Sequence, residues 1–298
     1  MSAVCVCNAV GCVIERLPLG KPVFGVTLLD NHLLVLREQI EDYDVTSFRL
    51  LRCFSISGLD SGDDIVACEH NRCAYVSNFS NKCIHRLALP DAEATQWNVC
   101  DRPSGLSLTV THGVLVTCPE VRQLKEFSTN GKLIRTLPLP DSVVSPMHAI
   151  HLSSARVLVS HGEFSDPVHR VCLVRFFDID FQGNSEIQLP LLLPGIVLPV
   201  VDRALGGPKG AGSQQMNVPA SLAVDENSGH VFVADQNNSR VLLLSPTWKC
   251  CRELVSRDQL QMNPLRLHLD AANHRLYIAV NRFDKAEWTV GRVVVVSV

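Results

Sequence analysis

The 298-residue sequence predicts an all-β fold, and three observations lead to that prediction. Short runs rich in β-branched and other apolar residues recur along the whole chain. Clusters of Gly, Asn, Asp, Ser and Pro separate these runs, as turns do between strands. No window of helical length keeps an apolar period of 3.6 residues, apart from a short stretch at 254–260.

The strand-like runs repeat with a long period. One marker residue just ahead of the first run can be followed from unit to unit, and five of the six markers are proline: Pro22, Asp63, Pro103, Pro146, Pro219 and Pro264. Successive markers are 41, 40, 43, 73 and 45 residues apart. Four of these spacings fit the roughly 40–45 residues of a four-stranded propeller blade. We therefore expect residues 1–298 to form one six-bladed β-propeller of four-stranded blades.

Two further runs follow the first run of each unit, as the inner three strands of a blade would. The second runs lie at 33–35, 74–76, 114–116, 157–159, 231–233 and 276–278. The third runs lie at 45–48, 83–87, 123–127, 171–174, 241–244 and 293–296. An outer strand completes each four-stranded blade.

The sixth unit ends directly after its third run, so its outer strand has to come from elsewhere. Residues 11–19 (GCVIERLPL) match residues 131–139 (GKLIRTLPL), which form the outer strand of unit three. We expect residues 11–19 to be the outer strand of the sixth blade and to close the ring. Closure removes the exposed edge that an open sheet would present.

The spacing of 73 residues contains an excess over one blade. The excess lies at 175–203, where a Pro-interrupted apolar run spans 189–201. Loops are normally short and polar, so we interpret 175–203 as an insertion in blade four.

Composition excludes several classes of function. The net charge of -3 argues against a dedicated polyanion binder, and no apolar run is long enough to span a membrane. The amino terminus lacks the basic segment of a signal peptide. We therefore expect a cytoplasmic protein whose 12 cysteines are reduced. Their spacing fits no zinc motif, so we expect no metal site.

The fifth unit carries the most informative motif. Residues 219–225 (PASLAVD) are followed by 229–241 (GHVFVADQNNSRV), and a weaker copy occupies 75–82. This pattern resembles the NHL repeat, in which a strand ending in Asp precedes Gly, then V-A-D, then N-x-R-V. Asp235 is suited to an Asx-turn, and Arg240 could form a charged tie between blades. The competing propeller type is marked by Trp-Asp pairs, and the sequence contains no such pair.

The resemblance implies a function in recognition. In tripartite-motif ubiquitin ligases the NHL propeller binds protein partners, and in some members RNA. This chain shows no RING-type Cys/His array and no coiled-coil heptads. We therefore expect a non-catalytic recognition module or scaffold, monomeric by itself, that binds a protein partner and is linked to a ubiquitin pathway. RNA binding is the alternative, supported by cations in units three and five: Arg122, Lys125, Lys132, Arg240, Lys249, Arg252 and Arg257.

A second alternative is a propeller enzyme with a central metal. Some propellers that resemble this one are enzymes, notably lactonases and the amidating lyase. These enzymes gather His, Asp or Glu ligands at the central channel. The residues of these types on or near first strands are Glu69, His148, His151, Asp225, His268 and Asp270. No catalytic constellation or phosphate-binding loop accompanies them, so we predict no catalytic residue and no cofactor.

The binding residues are predicted from topology. The connections between second and third strands and those between blades emerge on one side of a propeller, because successive strands alternate in direction. Aromatic residues and arginines concentrate in or beside these connections, and both types dominate binding hot spots. The candidates are Phe79, Arg122, Phe164, Arg240, Arg282, Phe283, Lys285 and Trp288.

Overall fold

The computed structural model contains six four-stranded antiparallel sheets arranged as the blades of a propeller, which confirms the predicted fold class. The structure describes residues 11–59, 62–89, 91–178, 197–249, 251–284 and 287–298. The first strand of the chain, β1 (Cys12–Arg16), belongs to the last blade.

The strands follow one another in chain order within blades one to five. Blade one is β2 (Gly25–Leu29), β3 (His32–Leu36), β4 (Ile40–Asp44) and β5 (Leu50–Phe54). Blade two is β6 (Asp64–Cys68), β7 (Cys73–Asn78), β8 (Cys83–Ala88) and β9 (Ala94–Asn98). Blade three is β10 (Leu106–Leu108), β11 (Val114–Cys118), β12 (Gln123–Phe127) and β13 (Leu133–Pro138).

The second half of the chain continues the pattern. Blade four is β14 (Pro146–Ser153), β15 (Arg156–His161), β16 (Val168–Asp178) and β17 (Val197–Pro208). Blade five is β18 (Pro219–Val224), β19 (Val231–Asp235), β20 (Arg240–Leu244) and β21 (Cys251–Val255), with a 3-10 turn at Gln236–Asn238. The helix α1 (Arg257–Leu260) precedes blade six, which is β22 (Asn263–Asp270), β23 (Arg275–Asp284), β24 (Glu287–Ser297) and β1.

The amino-terminal strand closes the ring, as its likeness to the outer strand of unit three predicts. β1 pairs antiparallel with β24, from Cys12 opposite Ser297 to Arg16 opposite Val294. Leu17 follows the strand and is 1% exposed, and its N–H donates to the Val293 carbonyl at 2.9 Å. The closing segment therefore contributes both hydrogen bonds and a core side chain.

Apolar side chains fill the space between neighbouring blades. Each of six buried clusters in the described chain joins two adjacent blades, and the cluster between blades six and one completes the circle. Both faces of the middle strands are therefore covered, which explains why the second runs are continuously apolar or aromatic.

One strand was predicted in the wrong place. The third strand of unit one is β4 at Ile40–Asp44, whereas the apolar pattern favoured 45–48. β4 lacks a continuous apolar pattern because a charged residue, Asp42, occupies one of its buried positions. Asp42 accepts from His32 Nδ1 and Arg52 Nε at 2.8 and 2.9 Å. Asp44 then closes a turn by accepting from the Ser47 N–H at 2.7 Å.

Blade four contains a long pair of antiparallel strands, β16 and β17, of 11 and 12 residues. β16 and β17 pair from Val168 opposite Pro208 to Asp178 opposite Val197. The predicted insertion at 175–203 overlaps with both strand ends, and Phe176 packs in the core between blades three and four. Residues 179–196 lie outside the described residues.

Most described cysteines sit in the core as thiols. Cys68, Cys73, Cys83, Cys118 and Cys172 are buried free thiols. Desolvation raises the pKa of Cys118 to about 12 and that of Cys172 to about 11, so both stay protonated and behave as small apolar residues. No helix within the described ranges is long and apolar enough to cross a membrane.

Candidate functional site

Three aromatic side chains from two blades meet on one face of the disc. Phe283 and Trp288 contact each other in a T-shaped arrangement with ring centroids 4.9 Å apart. Phe164, in the loop between β15 and β16, stacks on Phe283 with centroids 6.4 Å apart. Phe164 is 56% exposed and Phe283 is 46% exposed. The three rings, which we call the aromatic cluster, therefore pack together and still present apolar area to solvent.

The cluster depends on the long hairpin of blade six. Blades four and six are separated by blade five, so Phe164 and Phe283 can meet only if one loop extends across the face. β23 and β24 are 10 and 11 residues long and continue their pairing as far as Asp284 opposite Glu287. An irregularity between Arg282 and Phe283 shifts the register there, and such bulges redirect side chains. On the blade-four side, Lys209 Nζ donates to the Phe164 carbonyl at 3.0 Å and holds its loop.

The other predicted binding residues that the structure describes are not part of the aromatic cluster. Phe79 is half-buried beneath the Arg102 guanidinium, which lies 5.2 Å from its ring centroid. Arg122 is exposed and pairs with Asp141 at 3.4 Å. Arg282 is exposed next to Phe283, and Lys285 lies outside the described residues. Only Phe164, Phe283 and Trp288 form one contiguous patch, with Arg282 beside it.

Arg240, which was predicted both as a charged tie between blades and as a binding residue, lies in a structural environment. Its side chain is 10% exposed, and its Nε donates to Asp235 Oδ2 at 2.7 Å. The remaining guanidinium nitrogens donate to the carbonyls of Ala211, Gly212 and Gln215 at 2.9–3.1 Å. Arg240 thus ties its own blade to the connection that arrives from blade four, because the strong N-x-R-V motif directs it inward to the V-A-D aspartate.

The central channel holds an ion pair that joins two non-adjacent blades. Arg266 Nε of blade six lies 3.1 Å from Asp64 Oδ2 of blade two, and both side chains are at most 6% exposed. Asp64 also accepts from the N–H groups of Ile65 and Leu106, each at 2.9 Å. Burial raises the pKa of Asp64, while Arg266 and these N–H groups lower it.

His148 of blade four lies beside this pair. Its Nε2 lies 3.0 Å from the Leu106 carbonyl, and its Nδ1 accepts from the Leu222 N–H at 3.3 Å. The acceptor role of Nδ1 places the proton on Nε2, in the neutral tautomer. Desolvation, with Arg266 nearby, lowers the pKa of His148 to about 3, so the ring stays neutral at physiological pH.

Side chains of first strands form a ring of contacts around the channel. In each of these contacts a polar side chain of one blade reaches the neighbouring blade. The contacts are Thr27 Oγ1 with the Ala67 N–H (3.1 Å), Asp64 with Leu106, His148 with Leu106 and Leu222, Ser221 Oγ with the Leu267 N–H (3.2 Å), and His268 Nδ1 with Thr27 Oγ1 (3.4 Å). These partnered groups line part of the channel cavity, whose volume is about 250 Å³. Ser107 and His151 also line it, and Ser107 Oγ and His151 Nδ1 have no hydrogen-bond partner among the described residues.

The other residues considered for a metal or catalysis are dispersed. Asp225 accepts from Asn227 and Ser228, and Asp270 accepts from Asn273, so both close turns after first strands. His151 Nε2 lies 3.2 Å from Arg135. Desolvation lowers the pKa of His268 to about 4, and Glu69 is exposed on a turn. No group of three or more His, Cys, Asp or Glu side chains in the described part of the chain could hold a metal ion.

Sequence reasoning missed Asp64, Arg266, Thr27 and Ser221 as channel residues. A signal was present, since His148, Ser221 and Arg266 each lie two residues after a proline marker. A polar side chain at the same phase of three units marks the strand position that faces the axis.

Comparison with known proteins supports the fold. Residues 216–242 match the family model for the NHL repeat. No curated protein matches the sequence. Hydrazine synthase from Kuenenia stuttgartiensis has a TM-score of 0.58 at 10% identity, over 93% of this chain and 97% of that chain. Virginiamycin B lyase from Staphylococcus aureus has a TM-score of 0.56 at 9% identity, over 94% of this chain and 98% of that chain. At these identities the likeness to the two solved structures concerns the propeller fold alone. Residues 216–242 of this chain form an NHL repeat.

Proposed function

We propose that this propeller is a non-catalytic recognition module that binds a protein partner through the aromatic cluster. The observation that carries the proposal is the contact between three partly exposed rings, Phe164 in the β15–β16 loop and Phe283 and Trp288 on the hairpin that crosses the face. Contiguous exposed apolar patches on folded domains mark interaction sites. Aromatic residues and arginine supply most hot-spot energy, and Arg282 adds a cation beside the rings.

RNA is the alternative ligand, and it would need a continuous basic face with free cations. Three of the seven cations that favoured RNA are paired with acids among the described residues. Lys125 pairs with Asp101, Arg122 with Asp141, and Arg240 with Asp235. A protein partner is therefore the better match to the face, which is apolar at its centre.

The non-catalytic part of the proposal rests on the channel. Both nitrogens of His148 are engaged, and Asp64 is held by Arg266 and two N–H groups. A general acid or base needs a proton-transfer partner in the substrate, and these groups already have protein partners. The match of 216–242 to an NHL repeat supports a narrower form of the proposal, substrate recognition beside a ubiquitin ligase.

Affinity capture with the whole chain as bait tests the proposal. Wild type, Phe164→Ala and the control Phe177→Ala are compared with and without RNase, at low and high salt. Phe177 is 45% exposed on blade four and lies outside the aromatic cluster, so it matches Phe164 in residue type and exposure. We expect to capture a protein whose binding resists RNase and high salt. The Phe177→Ala bait should retain this protein and the Phe164→Ala bait should lose it.

Other outcomes would reject the proposal. Capture that disappears with RNase and falls steeply with salt would favour RNA. Capture that both variants retain would place recognition away from the aromatic cluster. Reconstitution with the purified partner and a ubiquitin ligase assay then decide the narrower form.

A further inference from the structure

We propose that the cleft between blades four and five binds a small organic anion, a carboxylate or a phosphate carried on an apolar or aromatic body. The cleft lies between the turns that join first to second and third to fourth strands, so it opens on the face opposite to the aromatic cluster. Its volume is about 570 Å³, and ligand pockets in proteins typically measure ~300–1,000 Å³. The cleft is independent of the proposed recognition face.

Three arginines of blade four face the cleft. Arg156 and Arg175 lie directly opposite each other on β15 and β16. Arg203 of β17 lies opposite Leu173, two residues before Arg175, so its side chain shares their face of the sheet. All three line the cleft.

The arginines carry more positive charge than the described acids neutralise. Asp202 pairs with Arg175 at 2.7 Å, whereas no acidic side chain in the described ranges forms an ion pair with Arg156 or Arg203. Glu226 lines the cleft on the blade-five side, which leaves a net positive lining. Like charges directly opposite each other destabilise a sheet.

The guanidinium groups also leave a donor unused. The Nε–H of Arg175 is buried and has no hydrogen-bond partner among the described residues. A carboxylate or phosphate accepts two parallel N–H bonds from one guanidinium, which suits such a donor set. A bound anion would relieve the repulsion between Arg156 and Arg175.

The walls of the cleft select an apolar or aromatic body. Leu158 and Leu173 form the blade-four wall, and Val231, Pro246 and Trp248 form the blade-five wall. Trp248 has a φ of 60°, as Phe48 (54°) and Ala92 (60°) have at the corresponding turns of blades one and two, so the turn that carries its ring recurs between blades. A flat ring stacked on Trp248 would carry its anionic group toward the arginines.

Calorimetric titration with three naphthalene probes tests the proposal. The probes are 2-naphthoate, 2-naphthyl phosphate and the neutral 2-naphthylmethanol. We expect one-to-one binding of at least one anion and at least roughly tenfold weaker binding of the neutral probe, because charge-assisted bonds are lost. The better of the two anions distinguishes a carboxylate ligand from a phosphate ligand.

Variants locate the binding. Arg156→Gln and Arg203→Gln should each weaken the anion at least about fivefold, while Arg49→Gln, an exposed arginine of blade one, should leave the affinity unchanged. Arg156→Lys and Arg203→Lys keep the charge and provide a second pair if a glutamine variant fails to fold. Equal binding of the neutral probe, unchanged affinity in the Arg156 and Arg203 variants, or no binding of either anion would overturn the proposal.

Discussion

Arg266 Nε lies 3.1 Å from Asp64 Oδ2, although the two residues belong to blades six and two, which are separated by blade one. Neighbouring blades are joined by apolar clusters, whereas this pair spans the channel. Asp64 additionally accepts from Leu106 of blade three. One buried carboxylate therefore links three blades.

Replacing Arg266 by Met should destabilise the fold strongly. The change leaves the Asp64 carboxylate buried without its cation, and breaking one side of a buried pair costs about 3–5 kcal/mol. Urea unfolding measures the loss. The double variant Asp64→Asn with Arg266→Met should lose less than the sum of the single changes, because the pair is coupled. A strictly additive double variant would show that the two side chains do not interact.

The neutral state of His148 should make stability depend on pH. Desolvation lowers its folded pKa to about 3 from 6.5, so the unfolded chain binds the proton more readily. This contribution is complete above pH 6.5 and is lost as pH falls toward 3. Between pH 6.5 and 4, we expect the unfolding free energy of His148→Gln to fall less steeply than that of the wild type. The two slopes should differ by up to about 1.4 kcal/mol per pH unit. Parallel pH profiles for wild type and variant would contradict the neutral buried imidazole.

Arg240 should behave as a residue of the fold. Truncation to Ala removes donors from Asp235 and three carbonyls, so we expect a loss of about 3 kcal/mol or more in unfolding free energy. Arg122→Ala is the matched control, because its ion pair with Asp141 is exposed and such pairs contribute about 0–1 kcal/mol. Equal losses for both variants in denaturant unfolding would disprove the structural role of Arg240.

The closing strand should be indispensable. Deletion of residues 1–19 removes β1 and the buried Leu17, and it exposes the edge of β24. A chain beginning at Gly11 keeps the strand and serves as control. The shorter chain should aggregate or melt roughly 10 °C or more below the control, since 1 kcal/mol corresponds to ~2–4 °C in a domain of this size. Equal melting temperatures and a monomeric shorter chain would rule out closure as a source of stability.

The period, the strand order and the closure could be predicted because each depends on local pattern. A blade repeats its apolar runs at a fixed spacing, and residues 11–19 keep the pattern of an outer strand. β4 could not be found in this way, since Asp42 is buried by pairing with His32 and Arg52 on the two neighbouring strands of its blade. A charged residue that is buried by its ion-pair partners adds nothing to the apolar pattern of the sequence.

The site was less predictable than the fold. Topology correctly places Phe164 and Phe283 on one face, yet their contact depends on how far the β23–β24 hairpin extends. Arg240 and Arg282 are both arginines in or beside predicted loops, but only one is buried against an acid. The pairing of Asp64 with Arg266 joins residues about two hundred positions apart, and a channel contact of this kind follows from ring closure rather than from either local sequence.

The most direct measurement of the central claim is the affinity of the captured partner for the double variant Phe283→Ala with Trp288→Ala. Loss of a hot-spot aromatic costs about 2 kcal/mol or more and hot-spot losses are not additive, so we expect the double variant to bind at least about thirtyfold more weakly. The melting temperature should change by only a few degrees, because these rings lie outside the clusters that join the blades. Unchanged affinity in the double variant, or a large fall in its melting temperature, would show that the rings pack for stability and that recognition lies elsewhere.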